Sequence, residues 1–462
     1  MARAFSRGGS LAVQRLPGER AEPGGAAGAR CTSRDSCRTV RESGFRNDSE
    51  VVVAGSQEGR PVARRGRALI LAVAVVLAAA VTAACSPPSL SAAPEHITPR
   101  KPGHPITLTL LDGSGDLQVY QKIYNDFAKA HPELVSGIRY ETASSPDVLG
   151  KLRAQELSNH VDTSLILGGT DIVGALQQQK LLTPLLPDHQ DLLPDLSKIQ
   201  DPPRAKLQAL VGGAGIMNLW SPSGPAWEYD TKHVPALPGN PQELLAWAKA
   251  NPGKFTYAQP PNSGPGRQFM MSLPYELGDA NPADPVNGWT RTWDYLRELG
   301  RYVAAYPASS TIMNKQLADG SVWIVPTSTA SDFNNHRQNV WGPDADMGIL
   351  ADQAWIMDGH FMLVPRGVSP ETLYVDLAFI SWVLQPQQQV RTYESGTISP
   401  AVTDAPLTQA GDAGKAAVAK FGRPDFLAQA FRTGTVNAPL DPLVLRTAFD
   451  LWQRKIGSHV GE

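Results

Sequence analysis

Three short polar turns hold the residues best suited to chemistry, each between an apolar run and a candidate helix. Asp112-Gly113-Ser114-Gly115 follows the run at 106–111, Ser144-Ser145-Pro146 follows 138–142, and Gly168-Gly169-Thr170-Asp171 follows 164–167. Backbone N–H groups at a helix start, helped by short hydroxyls, can hold a polar or anionic group. That makes Ser114, Gly115, Ser144, Ser145, Thr170 and Asp171 the first candidates. One such turn means little, because every α/β chain caps its helices. Three in succession, two of them rich in Gly, argue for a binding edge. In the second half the corresponding candidates are Arg267, ending the loop 263–267, then Thr327, Ser328 and Asp332 in a polar stretch read as a loop, and Asp358 with Gly359 before a strand. Trp220, Trp227 and Trp355 flank presumptive chain crossings and are open between cleft wall and core, whereas Trp247, Trp293 and Trp382 sit on helix faces and read as core. With Asp112, Asp171, Asp332 and Asp358 beside these loops, an organic cation or a hydroxyl-rich solute is a better guest than free phosphate, which unpaired carboxylates repel. Asp171 and Asp332 are expected on opposite walls, each in contact with the solute.

The elements that position these residues alternate. The β-branched run 106–111 reads as a buried strand, and Asp116 as cap of a helix with Leu117, Tyr120, Ile123, Tyr124 and Phe127 on its apolar face. Strands at 138–142 and 164–167 follow, the next helices opening at Ser145-Pro146 and Asp171. Strand–helix alternation predicts a parallel sheet covered on both faces, with ligands at the carboxyl ends of its strands. A second half repeats the style, with strands within 252–261, 322–325 and 360–364 and helices at 241–250, 289–306 and 373–384. At 462 residues the chain exceeds one compact core.

Residues 1–67 hold 13 Arg and 7 acidic side chains, a net of +6, whereas the chain from Ser86 carries a net of −8. An acidic body lacks the clustered cations that nucleic acid requires, so no nucleic-acid partner is expected. Cys31, Cys37 and Cys85 are the only cysteines, which leaves the body without disulfides or thiolate metal sites. Arg64, Arg65 and Arg67 precede an unbroken apolar run at 68–84 that ends at Cys85, the pattern of a secretory signal. Thr82-Ala83-Ala84-Cys85 approaches a lipobox, with Thr where Leu is usual, and favours lipidation of Cys85 over ordinary cleavage or an uncleaved anchor. The expected layout is a disordered leader at 1–61 (with the initiator at Val62), a lipoprotein-type signal at 62–85 and a tether at 86–105.

Catalytic signatures are missing. The chain has no Gly-x-Ser-x-Gly elbow, no His-Glu-x-x-His and no Lys-Thr-Gly, and His360 reads as a packed core residue. No catalytic residue, metal ligand or cofactor is predicted. Paired carboxylates for glycosidic cleavage keep an extracytoplasmic hydrolase acting on a carbohydrate-like substrate open as the alternative, and a ligand-sensing lipoprotein as a third.

Several segments together resemble the type II extracellular solute-binding proteins of ABC importers, close to a branch of thiamine-type transport proteins. They are YDTKHVP (229–235), LLAWAKANPGKFTYAQPP (244–261), YPASSTIMNKQLADGSVWIVPTST (306–329), DGHFMLVPRGVSP (358–370), AFISWVLQPQQQ (378–389) and GTISP (396–400). The resemblance runs from about residue 105 to 400 and rests on order and spacing rather than on one motif. It implies a two-lobed α/β fold, with lobe 1 at 106–225 plus 350–388 and lobe 2 at 226–349 plus 389–462. It also implies a monomer that performs no chemistry, captures a thiamine-like cation or hydroxyl-rich solute between its lobes outside the cytoplasm, and delivers it to ABC permease subunits while held to the membrane by a lipid anchor.

Overall fold

A computed structural model describes residues 96–221, 224–351 and 353–459. The expected leader and signal segment, Cys85 included, lie outside the described residues, as does the tether up to residue 95. The rest of the tether has no regular structure, but it is not free of the body: Ile97 is buried in the first core, and Arg100 pairs with Glu371.

The strands are β1 (Ile106–Asp112), β2 (Val135–Thr142), β3 (Leu165–Gly169), β4 (Gly215–Ser221), β5 (Ala226–Asp230), β6 (Ile324–Thr327), β7 (Ala345–Gly348), β8 (Ala354–Ile356), β9 (Asp358–Leu363) and β10 (Thr435–Asn437). Five of them form a sheet in the order β2-β1-β3-β9-β4. β1 runs parallel to β2 and β3, as the strand–helix alternation predicts. β9 is antiparallel to both of its neighbours, so the sheet is mixed rather than parallel. The reason is topological. β4 leaves the sheet at Ser221 and β9 re-enters opposite it at Asp358, at the edge where β1 and β3 end. A chain returning at that edge can only run back down the sheet.

β6-β5-β7 form an antiparallel sheet, and β8 pairs with β10 in parallel. The strand expected within 252–261 does not form; Phe255 makes one isolated bridge to Ile324. The stretch read as a loop at 327–332 is instead the start of a helix, Thr329–Arg337, capped by the Ser328 hydroxyl, which accepts from the Ser331 N–H.

Buried apolar side chains divide the same way. One cluster holds Leu110, Ile166, Phe361 and Phe379; another holds Trp227, Phe255, Phe269 and Trp452. These are the two lobes, each a sheet covered by helices. Leu350 and Ile356 belong to the second cluster, and Ala401, Val402 and Ala405 to the first. The core clusters therefore change over at Met357–Asp358 rather than at 350, and beyond 400 rather than at 388.

Candidate functional site

The Asp112 side chain organises the first turn. Its Oδ1 accepts from the backbone N–H groups of Ser114, Gly115 and Asp116 at 2.8–3.1 Å, and its Oδ2 from that of Leu117 at 3.0 Å. Asp112, not Asp116, therefore satisfies the start of helix Leu117–Ala130. Burial and the neighbouring Asp116 push the Asp112 carboxyl up, opposed by those N–H groups. The turn that follows relies on Gly115 at φ +83°, a conformation that costs a side-chain-bearing residue strain. The third turn is tied to the first, because the Ser114 hydroxyl accepts from the Gly169 N–H at 2.7 Å. The N–H groups of Ser114, Gly115 and Gly169 are thus consumed within the protein and are not free to hold an anionic ligand group.

Arg267 joins the two halves. It lies on helix Gly264–Glu276, whose Phe269 and Met270 pack in the second core. Its guanidinium donates to Asp171 Oδ1 at 3.0 Å and to Asp358 at 3.1 and 3.3 Å. The Ser145 hydroxyl donates to the other Asp171 oxygen at 2.6 Å. Burial opposes the charge on Arg267, but Asp358 and Asp171 outweigh it and hold its pKa above the ordinary value. The approach is close enough to require glycine at 169, where a Cβ would stand 2.7 Å from Asp171 Oδ1 and 3.1 Å from Arg267 Nη2.

On the second lobe, three serine-capped helix starts converge, the one at Ser263 opening the helix that carries Arg267. The Ser263 hydroxyl accepts from Gly266 N–H, that of Ser309 from Ile312 N–H and that of Ser328 from Ser331 N–H. Between the two walls lies a cavity of about 620 Å³. Gln118, Ser145 and Gly359 line it from the first lobe, and Asn314, Ser331, Asn335 and Gln338 from the second. Its charged lining is Asp171, Arg267, Asp358, His360 and Lys315. His360 is not the packed core residue expected, since its side chain retains 19% exposure and faces the cavity. Burial works against its charged form, yet the fully buried Asp116 carboxylate 3.0 Å away prevails and holds its pKa at about 9.

Of the residues singled out in the sequence, Ser114, Gly115, Ser145, Asp171, Arg267, Ser328, Asp358 and Gly359 stand on the cavity wall. The others do not. Ser144 donates outward to Asp147, and Thr170 and Thr327 are fully buried. Trp220 lies beneath the Arg204 guanidinium, 4.0 Å from the ring centroid. Trp227 packs edge-on against Phe269 and Trp355 lies tilted at 54° against Phe431, because rings at these crossings are taken up by the second-lobe cores. Asp332 points away from the cavity on the far face of its helix, where its carboxylate meets Arg423 at 3.2 Å; it is not the second wall's solute contact. The reading missed Asn314, Lys315, Ser331, Asn335 and Gln338, and the one available signal was the pair of polar helix starts at Ser309 and Ser328.

The sequence model of the bacterial extracellular solute-binding protein family matches residues 122–420, well over half of the chain. The chain belongs to that family. Its work as a solute-binding protein is extracytoplasmic. No curated protein matches it. Solved structures share the two-lobed fold at low identity. The spermidine/putrescine ABC transporter substrate-binding protein PotD of Streptococcus pneumoniae has 15% identity and a TM-score of 0.53 over 76% of this chain and 98% of that one. An ABC transporter substrate-binding protein of Bradyrhizobium japonicum has 15% identity and a TM-score of 0.56 over 76% and 99%. The GacH receptor of Streptomyces glaucescens, known in complex with acarbose, has 15% identity and a TM-score of 0.54 over 76% and 99%. The solute-binding protein has no helix, among its described residues, long and apolar enough to cross a membrane.

Proposed function

We propose that this solute-binding protein captures a neutral, hydroxyl-rich solute in the cleft between its lobes and delivers it to the permease of an ABC importer, held at the membrane by a lipid on Cys85. The observation that carries the solute class is the make-up of the cavity wall. Hydroxyls and carboxamides from both lobes surround about 620 Å³, and His360 supplies the single aromatic ring among its lining residues. A thiamine-like cation is the weaker candidate, because cation–π and stacking recognition needs Trp, Tyr or Phe faces and Trp220, Trp227 and Trp355 lie outside the lining. The two acids at the wall, Asp171 and Asp358, already share Arg267, which leaves little unpaired negative charge for a polyamine. The same pairing disfavours the hydrolase alternative, since a glycosidase needs one carboxylic acid able to protonate its leaving group.

The test is a thermal-shift screen of the purified protein against sugars, polyols, polyamines and thiamine, followed by product analysis of each hit. A ligand bound only by the native state raises the melting temperature. The proposal expects hits among sugars or polyols, recovered unchanged. A polyamine or thiamine as the sole hit overturns the solute class, and a cleaved sugar overturns the binding-only role.

A further inference from the structure

The helix Thr329–Arg337 has two working faces. Ser331, Asn335 and Gln338 look into the cavity, whereas Asp332 and His336, one turn apart, look back at Glu228 on β5. Glu228 is fully buried, and the Asp332 side chain retains 3% exposure. His336 Nε2 lies 2.9 Å from Glu228 Oε1 and 3.4 Å from Asp332 Oδ1, and donor atoms of all three residues fall within 4.8 Å of one another. We propose that Glu228, Asp332 and His336 form a structural site for a divalent transition-metal ion that fastens β5 to the helix walling the cavity. The site is independent of which solute the cavity takes.

Three observations converge on a cation. Ligands about 2.0–2.2 Å from a tetrahedral zinc stand about 3.3–3.6 Å from one another; His336 and Asp332 already have that spacing, and His336 and Glu228, at hydrogen-bond distance, need to part only slightly. Glu228 Oε2 and Asp332 Oδ1 are buried without a hydrogen-bond partner, and buried carboxylate oxygens rarely stay so. Finally, the one guanidinium that contacts the group among the described residues is divided: Arg423 donates through Nε to Asp332 Oδ2 and through Nη1 to Asp346. Two buried carboxylates thus share part of one cation. By holding Asp332 Oδ2, Arg423 turns Oδ1 toward His336, the orienting role that outer groups play around metal ligands. Two carboxylates and an imidazole suit Zn²⁺ or Mn²⁺; Ca²⁺ prefers six to eight oxygens.

The test measures bound metal and melting temperature of the purified full chain, stripped with chelator and then dialysed against Zn²⁺, Mn²⁺ or Ca²⁺. Because Cys31, Cys37 and Cys85 can themselves take Zn²⁺, the comparison is with Glu228→Gln and His336→Gln in the same chain. The expected result is one more Zn²⁺ or Mn²⁺ ion in the unsubstituted chain than in either variant. Its melting temperature should rise by several degrees with that metal but not with Ca²⁺. Alkylating the three thiols beforehand removes their Zn²⁺, so one ion of either metal on the unsubstituted chain supports the site and none overturns it, even where a variant fails to fold. Equal metal content and equal shifts in all three chains overturn the proposal. So does an unsubstituted chain that takes up neither ion, or one that Ca²⁺ stabilises as much as Zn²⁺.

Discussion

Replacing Arg267 by Met should destabilise the protein by about 3–5 kcal/mol, the usual loss when one partner of a buried ion pair is removed. The side chains of Arg267 and Asp171 are 7% exposed and that of Asp358 is 14% exposed, so solvent does little to screen what remains. Met fills much of the volume but leaves two carboxylates facing one another. Each keeps one donor, the Ser145 hydroxyl for Asp171 and its own Gly359 N–H for Asp358, which places the loss near the lower end, about 3 kcal/mol. Urea unfolding with linear extrapolation reads the change, provided the slope is preserved. Removing the stranded charges as well, with Asp171→Asn and Asp358→Asn in the Met background, should recover most of the loss. A loss below about 1 kcal/mol, the range of exposed pairs, would refute the reasoning. Failure of the Asn pair to recover stability would refute it too, because the cost would then come from packing rather than from uncompensated charge.

Glu276 is half-buried, accepts from Gln353 and the Ala354 N–H, and is pushed up by desolvation to about 7. Its raised native pKa means the folded state holds a proton that the unfolded state has lost, so stability should fall from about pH 4.5 to about pH 7, and Glu276→Gln should flatten that slope in urea titrations. His360 has the same sign in a higher window. Held at about 9 against 6.5, its pairing with Asp116 stabilises fully below about pH 6.5 and is lost as pH rises through about 9, so the advantage over His360→Gln should vanish across that interval. Cys85→Ser should move the protein from the membrane fraction into the soluble fraction; retention after a high-salt wash would contradict the lipid anchor.

The sequence made the first lobe legible because its signals are local. Short β-branched runs such as 106–111 can only be buried strands, and the apolar spacing Tyr120, Ile123, Tyr124, Phe127 fixes a helix face that the structure buries. The cavity edge at Ser114, Ser145 and Asp171 followed from where such strands end. Long-range pairing was not legible. Nothing local marks β9 as reversed, or Asp112 as the cap of a helix five residues on. The helix Thr329–Arg337 escaped because its residues are polar on both faces, one toward the cavity and one toward Glu228 and Arg423, so no apolar period betrays it. The tryptophans misled for a related reason: a ring beside a crossing looks like a cleft wall until the partners Phe269 and Phe431, distant in sequence, are placed against it.

The central claim is that one solute is held by both walls at once. Gln118 reaches the cavity from the first lobe and Asn335 from the second, and neither carries a structural ion pair. The most direct measurement is calorimetric titration of Gln118→Ala and Asn335→Ala with the solute found by the screen, beside their melting curves. Loss of one hydrogen bond of about 0.5–1.5 kcal/mol predicts affinity about 2- to 12-fold weaker in each variant, with melting temperatures near that of the unsubstituted protein. Unchanged affinity in either variant would contradict a solute gripped from both lobes.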